Sequence, residues 1–201
     1  NSFAIMAKAH NWEQYTLDLP MRNEPGNVFN YNSGATLILG HIFRLATGTD
    51  IEEYAVEHLF TPLGIDDYYW DRTPYGLTDT QEGLYISARS LAKIAQLFLQ
   101  KGRWQDEQVI PAAWVEESTA PLYPTGKSDD EAYGYLWWSQ PYTFKGKTVR
   151  AHFGKGFGGQ RPIFLPDLNM VIVLTGWNIL PGQPFLHAMK AVERVTAAVI
   201  E

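Results

Sequence analysis

The apolar positions follow two different periods along the chain. Over positions 33–47, Leu37, Ile38, His41, Ile42 and Leu45 recur at helical spacing, and the run stops at Gly48, which suits a left-handed C-cap. Asp50 then caps a second helix, with Glu53 three residues on as in a capping box, and that helix is expected to end before Pro62. Ser87 can cap a third, whose Leu91, Ile94, Ala95 and Phe98 form one stripe closed by Lys101-Gly102. Pro111 opens a shorter helix containing Trp114 and Val115.

A loop over 123–131, with Pro124, Gly126, Asp129 and Asp130, marks the change of regime. Beyond it the period shortens to that of strands. Positions 133–139 form one aromatic-rich strand, 148–153 alternate, and 161–165 and 170–175 flank a Pro166-Asp167 turn. Phe185, Ala188, Met189, Val192, Val195 and Val199 then predict a long amphipathic helix covering one face of that sheet. The expected class is α+β, with mainly antiparallel strands joined by short turns. Residues 1–130 form a mainly helical region, and residues 131–201 form antiparallel strands plus the C-terminal helix.

Composition narrows the function classes more than the fold. The 201 residues are 45% hydrophobic and 19% charged, which fits one large globular domain or two small ones and excludes a disordered chain. A net charge of −6, without a run of basic residues, argues against a general nucleic-acid binder, whose affinity comes from clustered Lys and Arg. The longest apolar stretch, 170–174, is far short of the roughly 20 residues that cross a bilayer. With no cysteine there is neither a disulfide framework nor a thiolate zinc site. The first residues lack an initiator Met, a basic region and an apolar run, so any targeting segment is expected to lie outside these residues.

Several motifs match familiar letters without their context. Gly154-Lys155-Gly156-Phe157-Gly158-Gly159 spells G-x-G-x-x-G, but a strand-like segment follows it where a dinucleotide site needs a helix. A bend or a close backbone approach to a ligand explains it better. Ser90 and Lys93 spell the S-x-x-K of serine acyl-enzymes, yet they sit inside a regular helix and are expected to be an exposed helical Ser and Lys. The five histidines contain no i,i+4 pair, so no metal is implied; His41 is expected to be structural, while His152 stands beside the glycine cluster. The acidic pairs Glu52/Glu53, Asp66/Asp67 and Asp129/Asp130 are adjacent, where side chains diverge, and are expected to be solvated. Trp137-Trp138 in a strand would put one ring in the core and the other on the opposite face.

The stretch Pro25-Gly26-Asn27-Val28-Phe29-Asn30-Tyr31-Asn32-Ser33-Gly34, followed by Leu37-Ile38-Leu39-Gly40, resembles the Tyr-containing motif of the class C β-lactamase-related serine hydrolases. That family includes β-lactamases, esterases, D-aminopeptidases and penicillin-binding-protein-like enzymes. Phe60-Thr61-Pro62-Leu63-Gly64-Ile65, Gly83-Leu84-Tyr85-Ile86-Ser87-Ala88-Arg89, and Gly158-Gly159-Gln160 with Pro166 and 171–175 resemble the same family in the same order. The resemblance implies part of a β-lactamase/transpeptidase-like fold and acyl transfer. A Ser attacks a carbonyl, a Lys three residues later assists, and a Tyr relays the proton between nucleophile and leaving group. It makes Tyr31 that tyrosine, with Ser33 standing where the family usually has Asn. It implies a small-molecule or peptide substrate, with ester, amide, D-amino-acid peptide and β-lactam all open. It implies no metal or organic cofactor, and it suggests a periplasmic or extracellular setting.

The family's third motif, K-T-G or H-x-G, precedes a backbone N–H that completes an oxyanion hole. Two registers fit here. His152-Phe153-Gly154 makes the Lys155 amide the donor; Gly154-Lys155-Gly156, anchored by Gly158-Gly159-Gln160, makes it Phe157, the register slightly preferred. The Ser-x-x-Lys nucleophile, which the family places well before its Tyr, has no match ahead of Tyr31. The expectation is therefore the C-terminal part of such a hydrolase, inactive alone, with its N-terminal nucleophile-bearing part absent. Apolar surface would then be covered by that part or by another chain. The rival reading is a non-catalytic module that holds a peptide or glycan on its aromatic residues and glycine-rich edge.

Overall fold

The computed structural model describes residues 2–127, 130–177, 179 and 188–198. The chain packs as two compact units, Asn1–Ser87 and Ala88–Glu201. The first contains helices α1 (Ser2–Met6), α2 (Trp12–Leu17), α3 (Ser33–Thr47), α4 (Ile51–Ala55) and α5 (Thr61–Leu63), and a two-stranded hairpin of β1 (Tyr68–Trp70) and β2 (Leu84–Ile86).

Local chemistry explains most of these boundaries. Asn32 adopts extended φ/ψ and its side chain accepts the Gly34 N–H at 2.9 Å, so α3 starts at Ser33; it ends at Gly48 (φ 74°), whose N–H returns to the Arg44 carbonyl at 2.8 Å. Only part of the predicted apolar stripe turns inward. Leu37 is buried, whereas Ile42 is 53% exposed and Leu45 is 74% exposed; Leu39, outside that stripe, is also 53% exposed. A helix apolar on nearly all sides is one built to be covered on more than one face.

Asp50 caps α4, but through the N–H of Glu52 at 3.1 Å and the hydroxyl of Thr78, not through Glu53. Nor does the helical path stop before Pro62. A π-helical turn, Val56–Phe60, intervenes, in which the Thr61 N–H reaches the Val56 carbonyl five residues back, and Pro62 lies within α5. The wider turn lets a residue without an N–H enter the helical path. Phe60 and Leu63 thereby point into the core, with the Phe60 ring against Tyr68 and Trp70.

The second unit is built on a six-stranded antiparallel sheet of order β10-β9-β8-β7-β6-β5. Its strands are β5 (Tyr123–Pro124), β6 (Ala132–Tyr133), β7 (Trp138–Phe144), β8 (Lys147–Phe153), β9 (Arg161–Leu165) and β10 (Met170–Leu174). A small hairpin, β3 (Arg103–Trp104) with β4 (Glu107–Gln108), and helices α6 (Ala88–Leu99), α7 (Ala112–Thr119) and α8 (Ala188–Ala197) complete it. The expected strand at 133–139 is in fact a hairpin corner. Tyr133 pairs with Trp138, the Gly134 N–H bonds the Trp137 carbonyl at 2.8 Å, and Leu136 turns the chain at φ 67°. Trp138 is buried in β7, while Trp137 sits in the corner with its ring on Phe98 and Phe164.

Register assigns the two faces of the sheet. Phe164 pairs with His152 and Ile163 with Phe153, so His152 and Phe164 share the face on which Phe98 of α6 packs. Val149, Ala151, Phe153 and Ile163 lie on the other, where Tyr142 shares a 2.6 Å hydrogen bond with the buried Thr196 of α8. With helices on both faces, Ile163, Phe164 and Leu165 are all buried in succession. Each such side chain contributes about 1.5–3 kcal/mol. The expected positions Phe185 and Val199 of the C-terminal helix lie outside the described residues, and Val195 is 42% exposed. The α+β class is the one expected.

Candidate active site

Tyr31 lies just before the Asn32 cap and is 48% exposed, and Ser33 opens α3. The Ser33 carbonyl accepts the Thr36 hydroxyl at 2.6 Å, which fixes the first turn behind the Tyr31 backbone. The cap thus holds this segment in a fixed entry angle to a 15-residue helix. Both residues belong to the first unit; the other predicted site residues, His152, Gly154, Lys155, Gly156 and Phe157, lie together in the second.

In the glycine segment, backbone N–H groups alternate between used and open. Gly154 donates to the Pro162 carbonyl at 3.0 Å and Gly156 to the Gln160 carbonyl at 2.9 Å, extending the β8–β9 ladder past Phe153. The N–H groups of Lys155 and Phe157, between and after them, make no hydrogen bond among the described residues. The chain then reverses through Gly158 (φ 77°) and Gly159 (φ 109°), conformations that a side chain at either position would strain, leaving Phe157 77% exposed at the tip. An edge of open N–H groups beside a tight reversal can receive an oxyanion.

The Lys155 side chain is committed elsewhere. Its Nζ pairs with Glu131 Oε2 at 2.6 Å and sits 3.6 Å from the centroid of the Trp138 ring, while Glu131, itself buried, also accepts the Thr125 hydroxyl at 2.9 Å. Burial lowers the Lys155 pKa, and the Glu131 carboxylate opposes that. The ammonium is therefore a strut between the β5–β6 loop and the glycine segment. Nothing in the sequence marked Glu131, because its partner is 24 residues away.

His152 stacks on Phe164, with centroids 4.9 Å apart, and its Nδ1 is buried without a hydrogen-bond partner. Burial, and then the Arg150 charge, lower its pKa to about 4, so the ring is neutral near pH 7. Unfolded histidine titrates near 6.5. Below that pH the unfolded chain gains a proton that the native state refuses until about 4, so stability falls across this window, by at most about 3 kcal/mol. The carboxyls of Asp79 and Glu82, pushed up mainly by burial, act in the opposite sense. The effect is therefore read as a difference: urea midpoints at pH 7 and pH 4.5 should fall further in the wild type than in His152→Gln. Parallel losses would show that His152 is not the titrating group.

Ser90 is not the exposed residue expected of that helix. It is only 3% exposed, on the inner side of α6 with Ala95 and Leu97, and Lys93 is half-buried. Among the described residues no helix is long and apolar enough to cross a membrane, and no group of three or more His, Asp or Glu side chains could hold a metal ion.

Against known proteins, the family model described as Beta-lactamase matches residues 3–189. No curated protein sequence matches the chain. Among solved structures it is similar to the one described as "Putative 6-aminohexanoate-dimer hydrolase from Bacillus anthracis", with TM-score 0.74 and 26% identity over 89% of this chain and 45% of that one. It is also similar to a penicillin-binding protein homologue from Pyrococcus abyssi, with TM-score 0.71 and 21% identity over 98% and 51%. A penicillin binding protein from Bacillus halodurans gives TM-score 0.66 and 18% identity over 88% and 59%. The chain thus spans about half the length of these structures. Its helices and antiparallel sheet are those of the β-lactamase/transpeptidase-like fold, and the chain belongs to the Beta-lactamase family.

Proposed function

We propose that this chain supplies the tyrosine proton relay and the oxyanion segment of a serine hydrolase, whose attacking Ser-x-x-Lys serine lies outside these 201 residues. The observation that carries this reading is the alternation in the glycine segment, where ladder bonds occupy Gly154 and Gly156 and leave the Lys155 and Phe157 N–H groups open. Phe157 is the preferred donor, because it stands at the exposed tip of the reversal.

In the proposed reaction the serine Oγ attacks the substrate carbonyl as the lysine amine takes its proton. The negative charge gathers on the carbonyl oxygen, against the Phe157 N–H. Collapse of this intermediate expels the leaving group, which is protonated through the Tyr31 hydroxyl, and an acyl-enzyme remains for water to cleave. Ser33 lies two residues along and offers a hydroxyl for the lysine or for a substrate amide. The substrate is an ester, amide or β-lactam carbonyl compound, and the amide dimer named for the Bacillus anthracis structure supports the amide class.

The exposed Leu39, Ile42 and Leu45 of α3 also support a missing partner surface, since the helix that Tyr31 leads into has apolar residues without a cover. The nucleophile-bearing segment is the proposed cover. Covalent labelling with a fluorophosphonate, which captures an activated serine as a stable phosphonyl ester, tests the reading by locating the attacking residue.

A further inference from the structure

We infer that Gln160 is a positioning residue for the oxyanion segment, acting as a strand surrogate that clasps the Gly158-Gly159 reversal to the end of β10. This rests on the serine-hydrolase reading above. The Gln160 side chain uses both ends of its amide on one residue: Oε1 accepts the Gly176 N–H at 3.2 Å, and Nε2 donates to the Gly176 carbonyl. The same Nε2 lies 3.4 Å from the Phe157 carbonyl, and the Gln160 carbonyl accepts the Gly156 N–H at 2.9 Å. One residue therefore ties the segment at three points.

The contacts leave little room for an alternative path. A Cβ at Gly156 would come within 2.7 Å of Gln160 Cβ, and one at Gly158 within 3.4 Å of the Gly176 carbonyl. The Gly156–Phe157 peptide, which carries the Phe157 N–H, is thus held on both flanks, through the Gly156 N–H on one side and the Phe157 carbonyl on the other. A rotation of that peptide would turn the N–H away from a developing oxyanion, and a donor displaced by about 1 Å costs up to about a hundredfold in rate. The Gln160 amide makes no bond to a reacting atom in this scheme; it acts through Phe157.

The test uses the full-length protein that contains these residues together with its Ser-x-x-Lys segment, nitrophenyl acetate as substrate, and Gln160→Met, which keeps the length and removes both bonding ends. The expected result is a fall in kcat of about tenfold or more, with KM within about twofold, and faster hydrogen exchange at the Gly176 amide. If Gln160→Met does not fold, Gln160→Glu retains the acceptor for Gly176 N–H and loses the donor, and the same split in kcat against KM is expected. Unchanged kcat in either folded variant, or an unchanged Gly176 exchange rate in Gln160→Met, overturns the inference. Failure of the unsubstituted protein to hydrolyse the ester would instead sink the hydrolase reading, and the catalytic role of the clasp with it.

Discussion

With Tyr31 in the proposed relay, Tyr31→Phe is expected to lower kcat of the full-length protein by about 10² to 10⁴, the usual worth of a positioned general acid–base. That corresponds to about 3–5 kcal/mol of transition-state stabilisation. The substitution removes one oxygen from a residue that is 48% exposed, in a segment whose entry into α3 is fixed by the Asn32 cap. Folding should accordingly change little, and a urea midpoint close to that of the wild type would show that the loss is chemical. KM should also hold, because proton relay is needed only as the leaving group departs. A variant with normal kcat would remove Tyr31 from the reaction.

The largest expected effect on stability belongs to Gly102→Ala. Gly102 has φ 81° at the exit of α6, its N–H returns to the Leu97 carbonyl at 2.8 Å, and its carbonyl accepts from Val109 and Ile110 at 2.9 and 3.1 Å. A Cβ there would lie 1.9 Å from the Ile110 carbonyl oxygen, a backbone atom that also accepts a hydrogen bond from Gln108 Nε2. Left-handed strain and the clash together should cost about 3 kcal/mol or more. Gly126→Ala is the control, because Gly126 also has positive φ, at 67°, yet a Cβ would meet nothing within 4 Å. That variant should lose only about 1 kcal/mol. Equal losses in urea unfolding would contradict the steric account of Gly102.

These residues also show what a sequence can and cannot reveal. The α3 boundaries were legible because Ser33, Gly48 and the apolar spacing act within one turn of the backbone they control. The β8–β10 strands were legible because alternation and the Pro166-Asp167 turn are equally local. The corner at 134–137 was not, since Leu136 turns the chain at φ 67° without the Gly or Asn that usually signals it. Ser90 was misplaced because the buried side of α6 is wider than its predicted stripe. Glu131 and Gln160 were invisible for a different reason. Their bonds to Lys155 and Gly176 span 24 and 16 residues, and only the assembled sheet brings those ends together.

The proposed site is visible in the sequence only in pieces: a tyrosine before a helix, and a glycine run after a strand. The segment's backbone accounting gave the second piece its meaning, because it shows which N–H groups the ladder consumes and which it leaves open. The Lys155 ammonium, which the letters alone could offer as a charge for catalysis, is held by Glu131 over Trp138.

Fluorophosphonate labelling followed by peptide mass mapping tests the central claim most directly. The full-length protein should carry one phosphonyl group, on a serine within a Ser-x-x-Lys outside these 201 residues, and the 201-residue chain alone should carry none. A phosphonyl group on Ser90, or on any serine within the 201 residues, would contradict the account.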